Sequence, residues 1–407
     1  MVLFEDEGYA NFLPSLYWRT LFESRIGRRI LLDRTAQILH QPISGVWVRD
    51  RIAKVAEQRC GAPANRPVQA GDVLINGRWL PEVSPSIPTT ACVGLVDQDV
   101  AFIVCDSAVA AQLTSADLLQ VDRRRKALQG LRKVPATGQV IRYPWDIVRN
   151  LRASLESEWS NTDACIDSSL DPRTVLRERE RIHIGENTHI HPTAVVDASS
   201  GTIFISHDVV IGPYAILEGP LYIGPGSRIN PHAWLHGGNA IGPVCKLGGE
   251  IDGSVIQGYT NKQHHGFLGH SYVGSWVNLG AGTSNSDLKN TYGHVRVPIL
   301  GEDIDTGATF FGAIIGDHVK TSINATIPTG AVLGFASCAA TTRVLPKFVR
   351  SFGWVTDYGV IPGEPDRLLD IATKMMTRRN VDMTDEEVEL FMDLHSLARS
   401  LEPSIRP

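Results

Sequence analysis

The stretch that decides the fold is 205-ISHDVVIGPYAILEGPLYIGPGSRINPHAWLHGGNAIGPVCKL-247. An aliphatic residue stands at every sixth position within it: Ile205, Ile211, Leu217, Ile223, Ile229, Leu235, Ile241 and Leu247. A glycine follows Ile211, Ile223, Ile241 and Leu247. Neither the roughly 3.6-residue period of a helix nor the two-residue alternation of an ordinary strand gives this spacing. It fits a coil of three short strands, each aiming one aliphatic side chain inward, with glycine taking the backbone angles of the corner. The same spacing starts at Ile184, Ile190 and Val196 and returns at Ile315, Thr321, Ile327 and Leu333. The coil is therefore predicted over residues 179–345, with residues 1–178 before it and 346–407 after it.

The pattern breaks in two places. After Leu247 the register is lost through 254-SVIQGYTNKQHHG-266 and resumes two positions out of phase at Phe267, Val273 and Leu279. This reads as an inserted loop holding Asn261, Lys262, Gln263, His264 and His265, and loops on a rigid scaffold commonly carry function. The second break, 284-SNSDLKNTYGHV-295, is polar and poor in strand formers.

The spacing resembles the hexapeptide-repeat superfamily. That resemblance implies a left-handed parallel β-helix, contrary to the usual right-handed crossover, and assembly as a homotrimer. Within the coil, 258-GYTNKQHHGFLGHSYVGSWVNLGAGTSNSDLKN-290 is similar to the acetyltransferase half of the bifunctional N-acetylglucosamine-1-phosphate uridylyltransferase/glucosamine-1-phosphate acetyltransferase family, in its shorter alternative bacterial form. There an insertion-loop His precedes an aromatic-Leu-Gly unit and an Asn-aliphatic-Gly-Ala-Gly unit follows, matched here by His264, Phe267-Leu268-Gly269 and Asn278-Leu279-Gly280-Ala281-Gly282. The resemblance implies His264 as general base, and Asn278, Asn285, Lys262, Phe267 and Tyr292 around the sugar. It places Ala281, between Gly280 and Gly282, against the acyl-CoA thioester. Phe267 stands where the family has Tyr, and 284–292 only loosely echoes its Cys-Asn-Tyr-Asp-Gly segment.

The chemistry agrees. An amine attacking a thioester must lose a proton, and a side chain titrating near neutrality accepts it for a gain of roughly 100- to 10,000-fold. Backbone N–H groups at the Gly-Ala-Gly corner suit the developing oxyanion. The implied co-substrates are acetyl-CoA and an amino-sugar phosphate or nucleotide sugar. Two other readings are a γ-carbonic-anhydrase-like zinc enzyme, for which His265 and His270 have a recognisable spacing, and a non-catalytic nucleotide-sugar-binding or assembly module.

Ahead of the coil, VLFED, ISGVWV, GDVLING, ACVGLV and VAFIVCD alternate with the helical stretches DRIAKVAEQR and DLLQVDRRRKALQ, which predicts an α/β domain. LPSLYWRTLFESRIGRRILL, LINGRWLP and RYPWDIVRN resemble the shortened nucleotidyltransferase domain of the same family. The phosphate-cradling glycine-rich loop is absent. Arg19, Arg25 and Asp146 are the remaining candidates for nucleotide or phosphate contacts, and Arg78 stands near the place of the metal-binding Asp, which leaves Mg²⁺ an open question. Residues 151–180 read as a charged connector. Beyond 345 the chain is helical, with Thr384 and Glu387 in a capping-box pattern.

Composition excludes several classes. The 407 residues are 43% hydrophobic and 20% charged, with a net charge of −5, so nucleic acid is not an expected partner. No apolar run approaches the roughly 18 residues of a membrane span, and the acidic N-terminus is unlike a secretory signal, which predicts a cytoplasmic protein. Six scattered cysteines without a CxxC pair read as buried thiols, and no metal site is predicted.

Overall fold

The computed structural model describes residues 1–82, 85–160 and 163–403. It divides into two compact units, one of Met1–Ser24, Arg29–Tyr143 and Asp385–Leu390, the other of Arg25–Arg28, Pro144–Thr384 and Phe391–Pro407.

The five apolar runs of the N-terminal region are all strands. With a sixth strand, Lys133–Pro135, they form a mixed sheet in the order Gly45–Trp47, Val2–Phe4, Val73–Asn76, Asp99–Val104, Cys92–Val96, Lys133–Pro135, with the first three parallel. Val2, Leu3 and Phe4 are all fully buried, so the first strand is covered on both faces, which is why it reads as a continuous apolar run. The two helical stretches become the helices Ala53–Cys60, Ser115–Leu118 and Val121–Ala127.

The second unit is a parallel β-solenoid. Its longest face stacks ten strands from Cys165–Ile166 to Phe348–Val349. The inward ladder on that face is Ile184, Ile205, Ile223, Ile241, Ile256, Val273, Ile315, Leu333 and Val349, each at most 2% exposed. The second face, here the Trp234 face, runs Val175–Arg177, Val195–Asp197, Ile216–Glu218, Trp234–Leu235, Glu250–Asp252, Phe267–Gly269. The third, the Lys246 face, runs from His189–Ile190 to Asn261–Lys262 and continues through single bridges of Asn278 to Asn261 and to Lys320. Burying one such aliphatic side chain contributes about 1.5–3 kcal/mol, and every coil repeats the contribution.

The structure corrects the sequence reading in three places. The coils start at Cys165 and reach Gly353–Thr356, beyond 179–345 on both sides, because the outer coils lack the aliphatic-Gly signature. The stretch 151–180 is not a connector. It holds the end of the helix Pro144–Ser157, which buries Ile147, Leu151 and Leu155 and lies on the long face, followed by the first coil strands. Third, no loop is inserted at 254–266. Leu247 pairs directly with Lys262 and Ile251 with Leu268 in the next coil, so that stretch is a regular coil with shortened corners. The real insertion lies at the second break. Tyr272–Ser275 pairs with Ala313–Ile315, and the chain between them carries an antiparallel hairpin of Arg296–Ile299 with Glu302–Asp305.

After the coil, the helix Pro365–Thr377 lies along the Lys246 face, where Arg379 just beyond it donates to Asn261 at 2.6 Å and the Arg367 guanidinium sits 4.7 Å over the Trp354 ring. The last helix, Asp385–Leu401, begins immediately after Thr384, as the capping pattern predicts. Four cysteines are buried, Cys60 is intermediate, and Cys165 is an exposed exception. No helix among the described residues is long and apolar enough to cross a membrane.

Candidate active site

Two stacked corners build the centre of the site. One is Gln263–Gly266, between the strands Asn261–Lys262 and Phe267–Gly269; the next coil's corner is Gly280–Thr283. They are joined where the Gly282 N–H donates to the His265 carbonyl at 3.0 Å. Gly282, at φ +74°, has no room for a side chain: a Cβ there would collide with Asn324 Oδ1 and lie 3.3 Å from His265 Nε2. His264 is exposed, and its imidazole has no hydrogen-bond partner among the described residues. In the facing corner the Gly280 N–H is bound to Thr321 Oγ1 at 3.0 Å and the Gly282 N–H to His265, which leaves the Ala281 N–H as the corner amide without an acceptor among the described residues. Successive coils are about 4.8 Å apart. A solvent-facing imidazole and an unengaged amide donor therefore occupy neighbouring corners.

The other residues implied by the resemblance fall into two groups. Asn278 and Phe267 are available at the surface of these coils. Asn278 accepts from Asn261 Nδ2 at 3.2 Å, and Phe267 stands at the end of the Trp234 face. Tyr292 lies in the polar stretch after Asn285 and is 73% exposed. Lys262 and Asn285 are corrected. Lys262 takes the inward ladder position below Leu247, is 2% exposed, and donates its ammonium to the carbonyls of Gly248, His264 and Gly266 at 2.8, 3.2 and 2.6 Å. Burial, countered in part by Glu250, pushes that ammonium down to about 8. Asn285 is also buried, with its carboxamide bound to the Gly269 N–H and to the carbonyls of Gly269 and Ser286. Both side chains are committed to backbone groups that would otherwise be orphaned, so neither reaches a sugar.

A cationic groove adjoins the His264 corner and had no signal in the coil motifs. Lys246, Asn261, Gln263, Asn278 and Lys320 of the coil face Lys374, Arg378 and Arg379 around a hollow of about 340 Å³. The charge of Arg379, then partial burial and the charges of Arg228 and Arg378, push the Lys246 ammonium below its ordinary range. At the opposite end of the strand Phe267–Gly269, His270 pairs its Nδ1 with Asp287 at 2.8 Å and lines a separate hollow with Trp145 and Phe310. His265 and His270 therefore stand at different corners of one coil and cannot chelate one ion within a chain.

In the N-terminal unit the carboxyl ends of the three parallel strands, where α/β sheets bind ligands, are closed by internal ion pairs. Asp6 takes a bidentate pair from Arg78, with Nε to Oδ1 at 2.7 Å and Nη2 to Oδ2 at 2.6 Å, and both side chains are almost fully buried. Glu5 is bound by Arg49 at 3.0 Å and accepts from the Leu21 N–H. Residues 12–22, where the phosphate loop would run, are buried throughout. Arg19 is buried in this unit, while Arg25 and Asp146 belong to the other. The Arg25 guanidinium donates to the Arg28 carbonyl and lies 5.2 Å from the Tyr222 ring, and Asp146 sits in the first turn of its helix, 3.6 Å from Arg149.

An α/β unit with its strand ends closed by ion pairs is thus followed by a parallel β-solenoid with stacked, partly polar corners. Residues 1–164 match the family described as sugar nucleotidyl transferase. A bifunctional sugar-1-phosphate nucleotidylyltransferase/acetyltransferase of Sulfurisphaera tokodaii is 36% identical over 126 residues, covering 31% of this chain and 29% of that protein. The bifunctional protein GlmU of Thermotoga petrophila is 30% identical over 190 residues, covering 46% of this chain and 38% of its own. The chain thus spans roughly a third of the length of these relatives. A UDP-N-acetylglucosamine acyltransferase crystal structure aligns with 57% of this chain and 90% of its own at 13% identity, with a TM-score of 0.21, too slight a likeness to build on.

Proposed function

We propose that the chain is an acetyl-CoA-dependent acyltransferase acting on an amino-sugar phosphate or nucleotide sugar, in the cytoplasm. The observation that carries this reading is the stacking of the His264 corner on the Ala281 corner. The substrate amine attacks the thioester carbonyl carbon, His264 takes the proton the nitrogen loses, and the Ala281 N–H donates to the oxyanion. Collapse of the tetrahedral intermediate releases the CoA thiolate and leaves the amide. Assays with acetyl-CoA and a panel of amino-sugar phosphates and nucleotide sugars test it; absence of acetyl transfer to every member would end the reading.

The coil acts as a homotrimer. On the Trp234 face one outward ladder runs Val175, Val195, Ile216, Trp234, Glu250, Phe267, and Val175, Ile216 and Trp234 are 45%, 38% and 41% exposed. An apolar stripe of this kind favours cover by a second copy. Sedimentation is expected to give a trimer, and a monomer at micromolar concentration would refute it.

The N-terminal domain contributes little or no nucleotidyl transfer. Its two strand-end carboxylates, Glu5 and Asp6, are each held by an arginine, so neither is available to Mg²⁺. Pyrophosphate release from a nucleoside triphosphate and a sugar 1-phosphate should stay at background with Mg²⁺ present. Brisk release would overturn this assignment and return attention to Arg19.

A further inference from the structure

The groove between the Lys246 face and the helix Pro365–Thr377 carries more positive charge than the chain itself neutralises. Lys246, Arg378 and Arg379 line it, with Lys320 behind them already bound to the carbonyls of Trp276 and His318; among the described residues no acidic side chain lines it, and the carboxylate paired to a lining cation is Asp370, on Lys374 at 2.6 Å. Arg379 gives one N–H to Asn261, while its Nε is buried without a hydrogen-bond partner among the described residues. A buried guanidinium donor left unmatched is costly, and an acceptor arriving from outside would remove that cost. Each guanidinium offers a planar fork of donors suited to phosphate oxygens.

The groove also has an apolar wall and a direction. Ile371 and Met375 lie one turn apart on the helix face that lines it, with Arg378 on the next turn. Gln263, beside His264 in sequence, closes the other side. A ligand with a phosphorylated end and a thin, partly apolar arm fits this sequence of surfaces, and the arm's far end comes to the reacting corner.

We propose that this groove holds the phosphates of the acyl-CoA donor, so that the C-terminal helix, and not the coil alone, forms the donor site. The assignment of the donor rests on the acyltransferase reading, whereas the groove's affinity for a polyphosphate does not.

Calorimetric titration of the full chain with coenzyme A, and separately with uridine diphosphate, tests it. The Lys246→Gln/Arg378→Gln double variant, altered at surface positions, should bind coenzyme A roughly 30-fold more weakly or worse, and Arg379→Gln tenfold or more. Wild-type affinity should fall steeply with added salt. Thermal midpoints within a few degrees of wild type confirm that the variants are folded, and Lys347→Gln, outside the groove, should bind normally. Unchanged coenzyme A affinity in folded variants overturns the proposal, as does a loss confined to uridine diphosphate, which would make the anion that of a nucleotide-sugar acceptor. If the wild type binds coenzyme A through these cations yet acetylates no amino sugar, the groove assignment stands and the acyltransferase reading fails. If it acetylates normally and the variants keep the wild-type KM for acetyl-CoA, the reading stands and the groove assignment fails.

Discussion

Replacing His264 with alanine is expected to lower kcat for acetyl transfer by roughly 100-fold or more while leaving coenzyme A affinity almost unchanged. The expectation rests on position. His264 is exposed, its imidazole has no hydrogen-bond partner among the described residues, and it stands at the corner stacked on the Ala281 amide. A base acts on the proton that leaves in the transition state, so its removal falls on kcat and not on ground-state binding. The His265→Ala variant is the neighbour control. His265 holds the next corner through its backbone carbonyl, which alanine retains, so its turnover should stay within a few-fold of wild type. Equal turnover by the His264 variant and the parent at a pH where imidazole is neutral would reduce His264 to a surface residue.

The Arg78→Ala variant is expected to lose about 3–5 kcal/mol of stability in the N-terminal unit. Arg78 is 3% exposed and Asp6 1%. Against burial, which alone would lower it, the Asp6 and Asp99 carboxylates hold the guanidinium above its ordinary range. Alanine would strand the Asp6 charge in the interior with the Gly8 N–H, the Asn76 amide and the outer Arg124 as its remaining partners among the described residues. Arg78→Lys keeps the charge but not the two-pronged geometry and should recover only part of the loss. Chemical denaturation with a fluorescence readout from Trp79 and Trp47 would measure it. A change below about 1 kcal/mol in the alanine variant would mean that water reaches Asp6 and that the strand ends are less closed than the ion pairs imply.

Much of the fold was legible because its signal is periodic and repeated. One aliphatic residue per strand, multiplied over many coils, survives local irregularity, and Ile205 through Leu247 sit in the predicted inward positions. The limits came from reading the period as rigid. At Leu247–Ile251–Ile256 the corners shorten, so a strict six-residue count loses phase and suggests an insertion where the chain omits residues. The site was legible in part. His264, Asn278 and Ala281 stand on or beside the stacked corners because the coil fixes neighbours by register. Lys262 and Asn285 were misjudged because polarity in a motif does not reveal which way a side chain points. Each turns inward to satisfy the backbone. The groove could not be read at all, since Arg378 and Arg379 are more than a hundred residues from Lys246 and Asn261 in sequence. Nothing in a helix's own pattern says which face of a coil it will cover.

Lys262 has a further consequence for how the coil comes apart. A solenoid is held by interfaces between nearest neighbours, so its resistance to opening is set coil by coil and not by the whole. Where Leu247 meets Lys262, the aliphatic column of the Lys246 face is interrupted by a lysine before resuming at Leu279, so that interface joins one aliphatic side chain fewer than those between Ile190, Ile211, Ile229 and Leu247. The same ammonium draws the carbonyls of His264 and Gly266 towards the interior, fixing the corner from within. The level at which the column is thinnest is thus also the level at which a reactive corner is most firmly shaped: cohesion between layers has been exchanged there for a defined backbone. Fraying of the stack would begin beside the chemistry rather than at a distant end, and a bound substrate spanning both layers would be the natural clasp against it.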